Sequence, residues 1–295
     1  MRILNLGSMN LDYVYGVESM VKAGETIRAL SRRVCCGGKG LNQSIALSKA
    51  GAPVWQAGLL GEDGAPLRSI LEENGVNTEL VREVSGPSSH TVIQVDEKGR
   101  NCILFYAHEG LRITDEYIDR VLESFGPGDY LLLQNELDNT DGMIRAAKKK
   151  GLKVVLNPSP ANEELLTFPL ELVDCFLLNE HEGAFLAGET DPSCVLDALH
   201  AKYPNALLVL TLGEKGAVCL ADGVRYEQGI FPVKAVDTTA AGDTFTGYFL
   251  AGLLEGKPIS ECLRRASMAS SIAVGRPGAA DSIPLLAEVE KALAE

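Results

Sequence analysis

The chain has 295 residues, of which 46% are hydrophobic and 23% charged, a composition typical of a folded globular protein. Its 27 basic and 40 acidic residues give a formal net charge of −13, which disfavours a nucleic-acid partner because duplex binding needs clustered Lys and Arg. No apolar run approaches the ~18 residues of a membrane span, the N-terminus turns polar too early for a signal peptide, and seven cysteines without a CxxC pair indicate reduced thiols. We therefore expect a cytoplasmic protein that uses neither nucleic acid nor a membrane as a partner.

Short apolar runs alternate with amphipathic segments along most of the chain. This alternation predicts βαβ units, and hence an α/β fold with a mostly parallel sheet covered by helices on both faces. The predicted strands of this layer are 3–6, 54–60, 130–134, 153–156, 175–178 and 207–211, and the first predicted helix is 42–50.

Two regions break the alternation. Residues 91–96 and 102–106 are predicted strands joined by a turn that contains Gly99, which is a hairpin signal. Residues 12–16 and 27–34 also resemble strands, and no helix separates them. The segments at about 11–35 and 88–110 therefore predict a small antiparallel sheet outside the main layer.

The last third of the chain is mostly helical, with predicted helices at 241–254, 260–274 and 285–294. No linker rich in Pro, Gly or Ser divides the sequence. We therefore expect residues 1–295 to form a single domain.

Several common catalytic motifs are absent. The pair Gly38-Lys39 is followed by Gly40, so there is no P-loop, and the missing GxGxxG motif argues against a nicotinamide-dependent dehydrogenase. HExxH and GxSxG do not occur, and the four histidines are scattered. Any catalysis is therefore expected to depend on carboxylates, backbone amides and small loops.

The most informative segment is a loop of small residues, 238–242, that leads directly into a helix with Asp243 in its first turn. Free amides at a helix N-terminus favour an anion, and small side chains let a phosphate approach the backbone. An aspartate beside such an anion could take a proton from an attacking hydroxyl. Asp243 is equally well explained as an ordinary acidic residue at a helix N-terminus, and at this point both explanations stay open.

Residues 237–247 resemble the DTxGAGD motif of the ribokinase-like sugar kinases, with Ala240 in place of the usual glycine, and residues 37–43 resemble the GGKGxNQ motif of that family. The resemblance covers essentially the whole chain. It implies the family's three-layer fold, with a mostly parallel central sheet and a small antiparallel β lid at about 11–35 and 88–110. Four further segments are similar in the family's order: GSxNxD at 7–12, NPAPA at 157–161, NExE at 179–182 and TLGxxG at 211–216.

The resemblance implies an ATP-dependent kinase that phosphorylates the primary hydroxyl of a small sugar, D-ribose at O5. Asp243 would be the general base, and the amides of Ala240, Ala241 and Gly242 would form an anion hole. The implied sugar-binding residues are Asn10, Asp12, Gly38, Lys39, Asn42, Glu136 and Asp243. The implied nucleotide-binding residues are Asn179, Thr211, Gly213, Gly216, Gly242 and Ser267.

The resemblance also implies two metal ions and a dimer. Mg²⁺ would lie near Glu182, and the lid would exclude water and form a homodimer through its strand edges. An activating K⁺ would be held by Asp237, Thr239, Ala273, Arg276, Gly278 and Ser282.

Two departures from the family pattern bear on specificity, namely His108-Glu109-Gly110 after the lid hairpin and Ser267 near the expected adenine. Other acceptors remain alternatives: fructose, deoxyribose, or a nucleoside of the adenosine or pseudouridine type. A non-catalytic sugar sensor on the same fold is a further alternative. The intact Asp243 disfavours the sensor, which has no chemical need of a base beside an anion site.

Overall fold

The computed structural model describes residues 1–295 apart from the side chain of Pro192. Among these residues, no helix is both long and apolar enough to cross a membrane. The strands are β1 Ile3–Leu6, β2 Asn10–Gly16, β3 Ser31–Gly37, β4 Val54–Leu60, β5 Asn77–Glu83, β6 His90–Val95, β7 Asn101–Tyr106, β8 Tyr130–Gln134, β9 Lys153–Asn157, β10 Cys175–Asn179, β11 Leu207–Thr211, β12 Ala217–Ala221 and β13 Val224–Gln228. The α-helices are α1 Lys39–Lys49, α2 Ala65–Glu73, α3 Asp115–Val121, α4 Thr140–Lys149, α5 Glu180–Ala187, α6 Pro192–Lys202, α7 Ala241–Leu254, α8 Ile259–Val274 and α9 Leu286–Ala294.

The main layer is a nine-stranded sheet in the order β13-β12-β11-β10-β9-β8-β1-β4-β5. The strands from β11 to β5 pair in parallel, and β12 and β13 extend the sheet as antiparallel strands. Helices α1, α2, α7, α8 and α9 cover one face, and α3 to α6 cover the other. The predicted α/β sandwich is confirmed.

Successive residues of the central strands alternate between these two faces. In β1, Ile3 packs on the side of α1 and α7, whereas Leu4 and Leu6 pack on the opposite side. Strands buried on both faces are apolar along their length, which is why the sequence predicted them well. Asn5 is an exception, because it is fully buried on the same side as Ile3.

The second sheet has the order β3-β2-β6-β7. Its pairs β2–β3 and β6–β7 are antiparallel, as expected, but the central pair β2–β6 is parallel. The reason is topological: the chain leaves the small sheet after β3 and builds α1 to β5 of the main layer before it returns at β6. The strand predicted at 27–34 is observed at Ser31–Gly37. It pairs with β2 from Gly16 opposite Ser31 to Asn10 opposite Gly37.

Some elements were not predicted from the sequence. Strands β5 and β13 lie at the two edges of the main sheet, and most of their residues are polar or charged. Helix α1 begins three residues earlier than predicted, directly after Gly38, whose φ of +97° favours glycine.

Helix α1 approaches both β1 and α7 closely. A Cβ on Gly40 would lie 2.6 Å from the Cα of Gly7, and a Cβ on Gly247 of α7 would lie 2.7 Å from the carbonyl carbon of Ala46. These contacts involve backbone atoms, which cannot rotate away as a side chain can. Glycine at these two positions therefore sets how closely α1 can approach β1 and α7.

Replacement of Gly247 by alanine should destabilise the protein. Alanine is favoured over glycine in a helix interior by about 1 kcal/mol, but overpacking typically costs about 1–3 kcal/mol and here involves backbone. The matched control is Gly252→Ala in the same helix, where the nearest atom is the mobile Cys262 Sγ at 3.0 Å. Thermal unfolding should give a lower Tm for Gly247→Ala than for Gly252→Ala, and the reverse order would contradict the close packing.

Candidate functional site

A cleft of about 220 Å³ opens at the carboxyl ends of β9, β10 and β11, where Asn157, Asn179 and Thr211 line it. Lys39 at the start of α1 and Glu182 of α5 also line it, as does the N-terminus of α7. Ligands of open parallel sheets bind at this edge. The cleft therefore brings together many, though not all, of the predicted site residues.

The N-terminus of α7 forms one wall of the cleft. Ala240 adopts a left-handed conformation with φ of +59°, and its carbonyl accepts hydrogen bonds from the amide and the Oγ1 of Thr244, both at 2.8 Å. No side chain among the described residues caps this end, and Gly242 is exposed. The Ala241 amide donates to the Thr238 carbonyl at 3.3 Å, so one of the three predicted anion-hole amides already has a partner within the loop.

Asp243 lies at the cleft, held by two amide side chains of α1. Asn42 Nδ2 donates to its Oδ2 at 3.1 Å, and Gln43 Nε2 donates to its Oδ1 at 2.9 Å. Burial raises the pKa of Asp243 above its usual value, although the charge of Lys39 and the two amide donors oppose the shift. The carboxylate is thus poised as a hydrogen-bond acceptor with a basicity greater than that of a free aspartate.

Lys39 places a positive charge close to the acidic side chains of Asp243, Glu136 and Glu182. Its Nζ lies 3.7 Å from Glu136 Oε1, and its backbone amide donates to Glu136 Oε2 at 3.0 Å. Burial alone lowers the pKa of Lys39, but the nearby carboxylates of Asp243, Glu136 and Glu182 outweigh it and raise the pKa. Lys39 therefore stays charged at neutral pH.

The residues predicted to hold a sugar lie on β2, on α1 and after β8. Asn10 is buried and accepts a hydrogen bond from Ser89 Oγ at 2.7 Å, while Asp12 accepts one from Thr91 Oγ1 at 2.6 Å. Burial raises the pKa of Asp12, and the charge of Glu136 adds to the effect. The Oδ1 of buried Asn42 has no partner among the described residues. This group of side chains thus offers several acceptors, one of them unpaired.

The residues predicted to contact the nucleotide lie on several different elements, and not all of them line the cleft. Asn179 and Glu182 form a capping box at the start of α5, in which each side chain binds the other's backbone amide. Gly213 and Gly216, with φ of +54° and +96°, form the turn between β11 and β12. Ser267 is buried on α8 and does not line the cleft within the described part of the chain.

The residues predicted to hold K⁺ lie in two segments, 237–239 and 273–282, which are joined by a hydrogen bond to Asp237. Asp237 Oδ1 accepts hydrogen bonds from the amide and hydroxyl of Thr239, and its Oδ2 accepts one from the Gly278 amide at 3.1 Å. The Ala273 carbonyl accepts from the Arg276 amide. Buried Ser282 donates its hydroxyl to the Ala279 carbonyl at 2.7 Å. The described residues contain no group of three or more His, Cys, Asp or Glu arranged to hold a metal ion.

The sequence interpretation missed the role of three polar residues in the hydrogen-bond network of Asp243, namely the buried Gln43 and Gln134 and the half-buried Asn157. Gln43 is fully buried within the buried part of α1, and Gln134 is nearly fully buried at the end of the apolar strand β8. A glutamine at a buried position of a helix or strand was the sequence feature that could have indicated such a role. Their hydrogen-bond partners are distant in sequence, and the sequence alone therefore could not show which residues they contact.

Comparison with known proteins agrees with the fold and the motifs. A ribokinase of Bacillus subtilis is 34% identical over 299 residues, covering 98% of each chain, and a deoxyribokinase of Salmonella typhi is 31% identical over 304 residues, covering 99% of each. The structure of Arabidopsis thaliana ribokinase complexed with ribose and ATP superposes with a TM-score of 0.85 at 30% identity, covering 100% of this chain and 99% of that one. Residues 2–286 match the family described as pfkB family carbohydrate kinase. The chain belongs to the pfkB family of carbohydrate kinases.

Proposed function

We propose that this protein is an ATP-dependent kinase that transfers a phosphoryl group to the primary hydroxyl of D-ribose. The observation that carries the proposal is the position of Asp243, a half-buried carboxylate held by two amides, in the first turn of helix α7, whose N-terminus no described side chain caps. Relatives named ribokinase over almost the whole length support it, as does a similar structure that binds ribose and ATP.

Asp243 would act as the general base. Each of its two oxygens accepts one hydrogen bond from a side-chain amide. A carboxylate oxygen can accept more than one hydrogen bond, and a sugar hydroxyl can therefore donate to Asp243 from the open side. General base catalysis contributes roughly 10²–10⁴-fold. The free amides of α7, including that of Gly242, and the charge of Lys39 would stabilise the negative charge of the transferred phosphoryl group.

Glu182 is the residue that would hold Mg²⁺. Mg²⁺ usually takes one or two carboxylates and completes its shell with phosphate oxygens and water. Glu182 fits that pattern as one buried carboxylate at the cleft. Both of its oxygens already accept hydrogen bonds from Asn179, at 2.9 and 2.8 Å, so it would hold Mg²⁺ through its remaining lone pairs or through water. When bound with ATP, Mg²⁺ neutralises phosphate charge.

Asn10, Asp12, Asn42 and Glu136 would hold the sugar. Ribose presents several hydroxyl groups, each of which can donate a hydrogen bond. The unpartnered Oδ1 of Asn42 and the carboxylates of Asp12 and Glu136 are acceptors suited to them. A buried acceptor without a partner costs free energy until a ligand satisfies it.

The small sheet would serve as a lid of a single kinase domain and as a dimer surface. Strand β7 is exposed along its whole length and includes Leu104, 69% exposed, and Phe105, 50% exposed. An exposed strand edge with apolar side chains invites pairing with another chain. A second copy of this chain would cover both the edge and the apolar residues.

Deoxyribose is a second candidate acceptor, because one relative at 31% identity is named deoxyribokinase. The two sugars differ by the 2-hydroxyl. A site that hydrogen-bonds this hydroxyl discriminates strongly against the analogue that lacks it.

ADP release should be measured with ribose, deoxyribose, fructose, adenosine and pseudouridine for the wild type and for Asp243→Asn. We expect ribose to give the highest kcat/KM, and Asp243→Asn to keep its fold and its affinity for ribose and ATP but lose most of its kcat. The amide is nearly isosteric with the carboxylate but cannot take the proton, so the loss appears mainly in kcat.

A variant that retains more than roughly a tenth of the wild-type kcat would exclude Asp243 as the base, given the size of general base catalysis. ADP release that no acceptor stimulates would contradict the kinase itself. Equal binding of ribose and ATP by wild type and variant, measured by calorimetry, is the control for folding.

Asp12→Ala should raise the KM for ribose about tenfold or more, since loss of a buried hydrogen-bonding partner costs about 1–3 kcal/mol. ATP affinity measured without sugar should barely change, which makes it the internal control. An unchanged ribose KM would show that Asp12 does not contact the sugar.

We also propose that K⁺ activates the enzyme from the loop around Asp237. Asp237 accepts hydrogen bonds from Thr239 and from Gly278, which belong to the two segments of the predicted K⁺ site. The hydrogen bonds from Thr239 hold the pKa of Asp237 below its usual value, although burial acts in the opposite direction. Hard oxygen ligands, one of them charged, suit such a cation. The carbonyls of Ala273, Arg276 and Gly278 and the hydroxyl of Ser282 would complete the set.

Activity at fixed ionic strength should be higher in KCl than in NaCl, and lowest with a bulky organic cation. Asp237→Ala also loses structural hydrogen bonds, so the informative quantity is the ratio of the rates in the different salts and not the rate itself. This ratio should approach one in the variant. Equal rates of the wild type in all three salts would refute the site.

A further inference from the structure

We infer that Gln43 is a positioning residue that holds the Asp243 carboxylate as a hydrogen-bond acceptor, and that a buried chain of amides across the sheet holds Gln43. The inference deepens the proposed function, since it rests on Asp243 as the base. It concerns how the protein keeps this carboxylate oriented before any ligand arrives.

Gln43 makes three side-chain hydrogen bonds while fully buried on α1. Its Nε2 donates to Asp243 Oδ1 and to Asn157 Oδ1, both at 2.9 Å. Its Oε1 accepts from Gln134 Nε2 at 2.7 Å. Every polar atom of the amide is therefore engaged, and both N–H groups point toward oxygen atoms.

The neighbours of Gln43 cannot reverse their own orientation. Asn157 Nδ2 donates to the Leu177 carbonyl at 2.8 Å, and because a carbonyl only accepts, Asn157 Oδ1 must face Gln43. Gln134 Nε2 donates to Asn5 Oδ1 at 3.0 Å as well as to Gln43. A flipped Gln43 would set its oxygen against two acceptors and its nitrogen against a donor.

Backbone carbonyls fix the far end of the chain of amides. Asn5 Nδ2 donates to the Gly40 carbonyl at 2.8 Å, and Gln56 Nε2 donates to the carbonyls of Gly7 and Ala57, both at 2.9 Å. Ser44 Oγ joins the two residues by donating to Gln56 Oε1 and accepting from Asn5. Donation thus runs outward from Gln134 along two branches, one through Gln43 to Asp243 and the other through Asn5 and Ser44 to Gln56.

The sheet register accounts for this arrangement. Asn5 pairs with Gln56 on β4, and Gln134 pairs with Asn157 on β9, so polar residues of neighbouring strands face α1 at similar heights. Most of the chain of amides is buried between the sheet and α1, and Asn157 is the member that borders the cleft. In a buried network each member restricts the orientation of the next.

A donor on Asp243 Oδ1 favours the charged carboxylate, because hydrogen bonds to an ionised group stabilise that form. The other charged groups around Asp243 are Lys39, which also favours the anion, and Glu136, which opposes it. Without the Gln43 donor, burial and Glu136 would protonate Asp243 at a higher pH. The base would then be lost to protonation at a higher pH than in the wild type.

The test is Gln43→Met, which keeps the length and volume of the side chain but removes the donor. ¹³C carboxyl NMR of the ligand-free enzyme, with the Asp243 signal assigned through Asp243→Asn, should show its midpoint raised by about one pH unit. The acid limb of kcat against pH should move up by the same amount, with a smaller change in the ribose KM. In the wild type, the side-chain amide signals of Gln43 should follow the Asp243 midpoint.

Ser48→Ala is the control, since it removes a hydrogen bond from the same helix to the Asn74 carbonyl, far from Asp243. It should lower the Tm without moving the midpoint. If Gln43→Met does not fold, Gln134→Met takes its place, with a smaller shift in the same direction.

An unchanged Asp243 midpoint in a folded variant, or wild-type Gln43 signals that ignore the titration, would overturn the inference. The NMR readout needs no turnover, so it separates this inference from the proposed function. A shifted midpoint in an enzyme that phosphorylates no sugar would sink the function alone.

Discussion

The site depends on how closely α1 can approach β1 and α7. Gly40 lies against the backbone at the end of β1, and Gly247 lets α7 pack on Ala46, so no side chain separates these elements. This approach brings the amides of Asn42 and Gln43 within hydrogen-bond distance of Asp243, about 200 residues away in sequence. The hydrogen bonds that hold the Asp243 carboxylate thus follow from one packing constraint.

The proposed Mg²⁺ is consistent with the charges that line the cleft. The chain carries a net charge of −13, and among the described lining residues Lys39 is the cation that faces Asp243 and Glu182. The carboxylates already raise the pKa of Lys39, which shows that they outnumber it. A polyphosphate adds further negative charge. Helix α7 and Lys39 offset part of it, and a divalent ion between phosphate oxygens and Glu182 would offset the rest.

The sequence was a good guide to most strands that burial on both faces makes apolar, such as β1, β8 and β11, although β12 was missed, and to the helices that follow a loop of glycines or other small residues. It failed at the edge strands β5 and β13, since one-sided burial leaves half of their residues polar. The parallel pairing of β2 with β6 was also missed, because it depends on the path of the chain between them. Motifs located Asp243 and Lys39, whereas Gln43 and Gln134 gained a role only when the fold joined four elements through their amides.

The central claim is transfer of a phosphoryl group from ATP to the primary hydroxyl of ribose, and the most direct measurement is ³¹P NMR of the reaction mixture. The predicted result is a phosphomonoester signal split by the two protons on C5, formed in equal amount to ADP, with no inorganic phosphate while ribose is present. Inorganic phosphate as the main product, or an ester signal coupled to a single proton, would contradict the account.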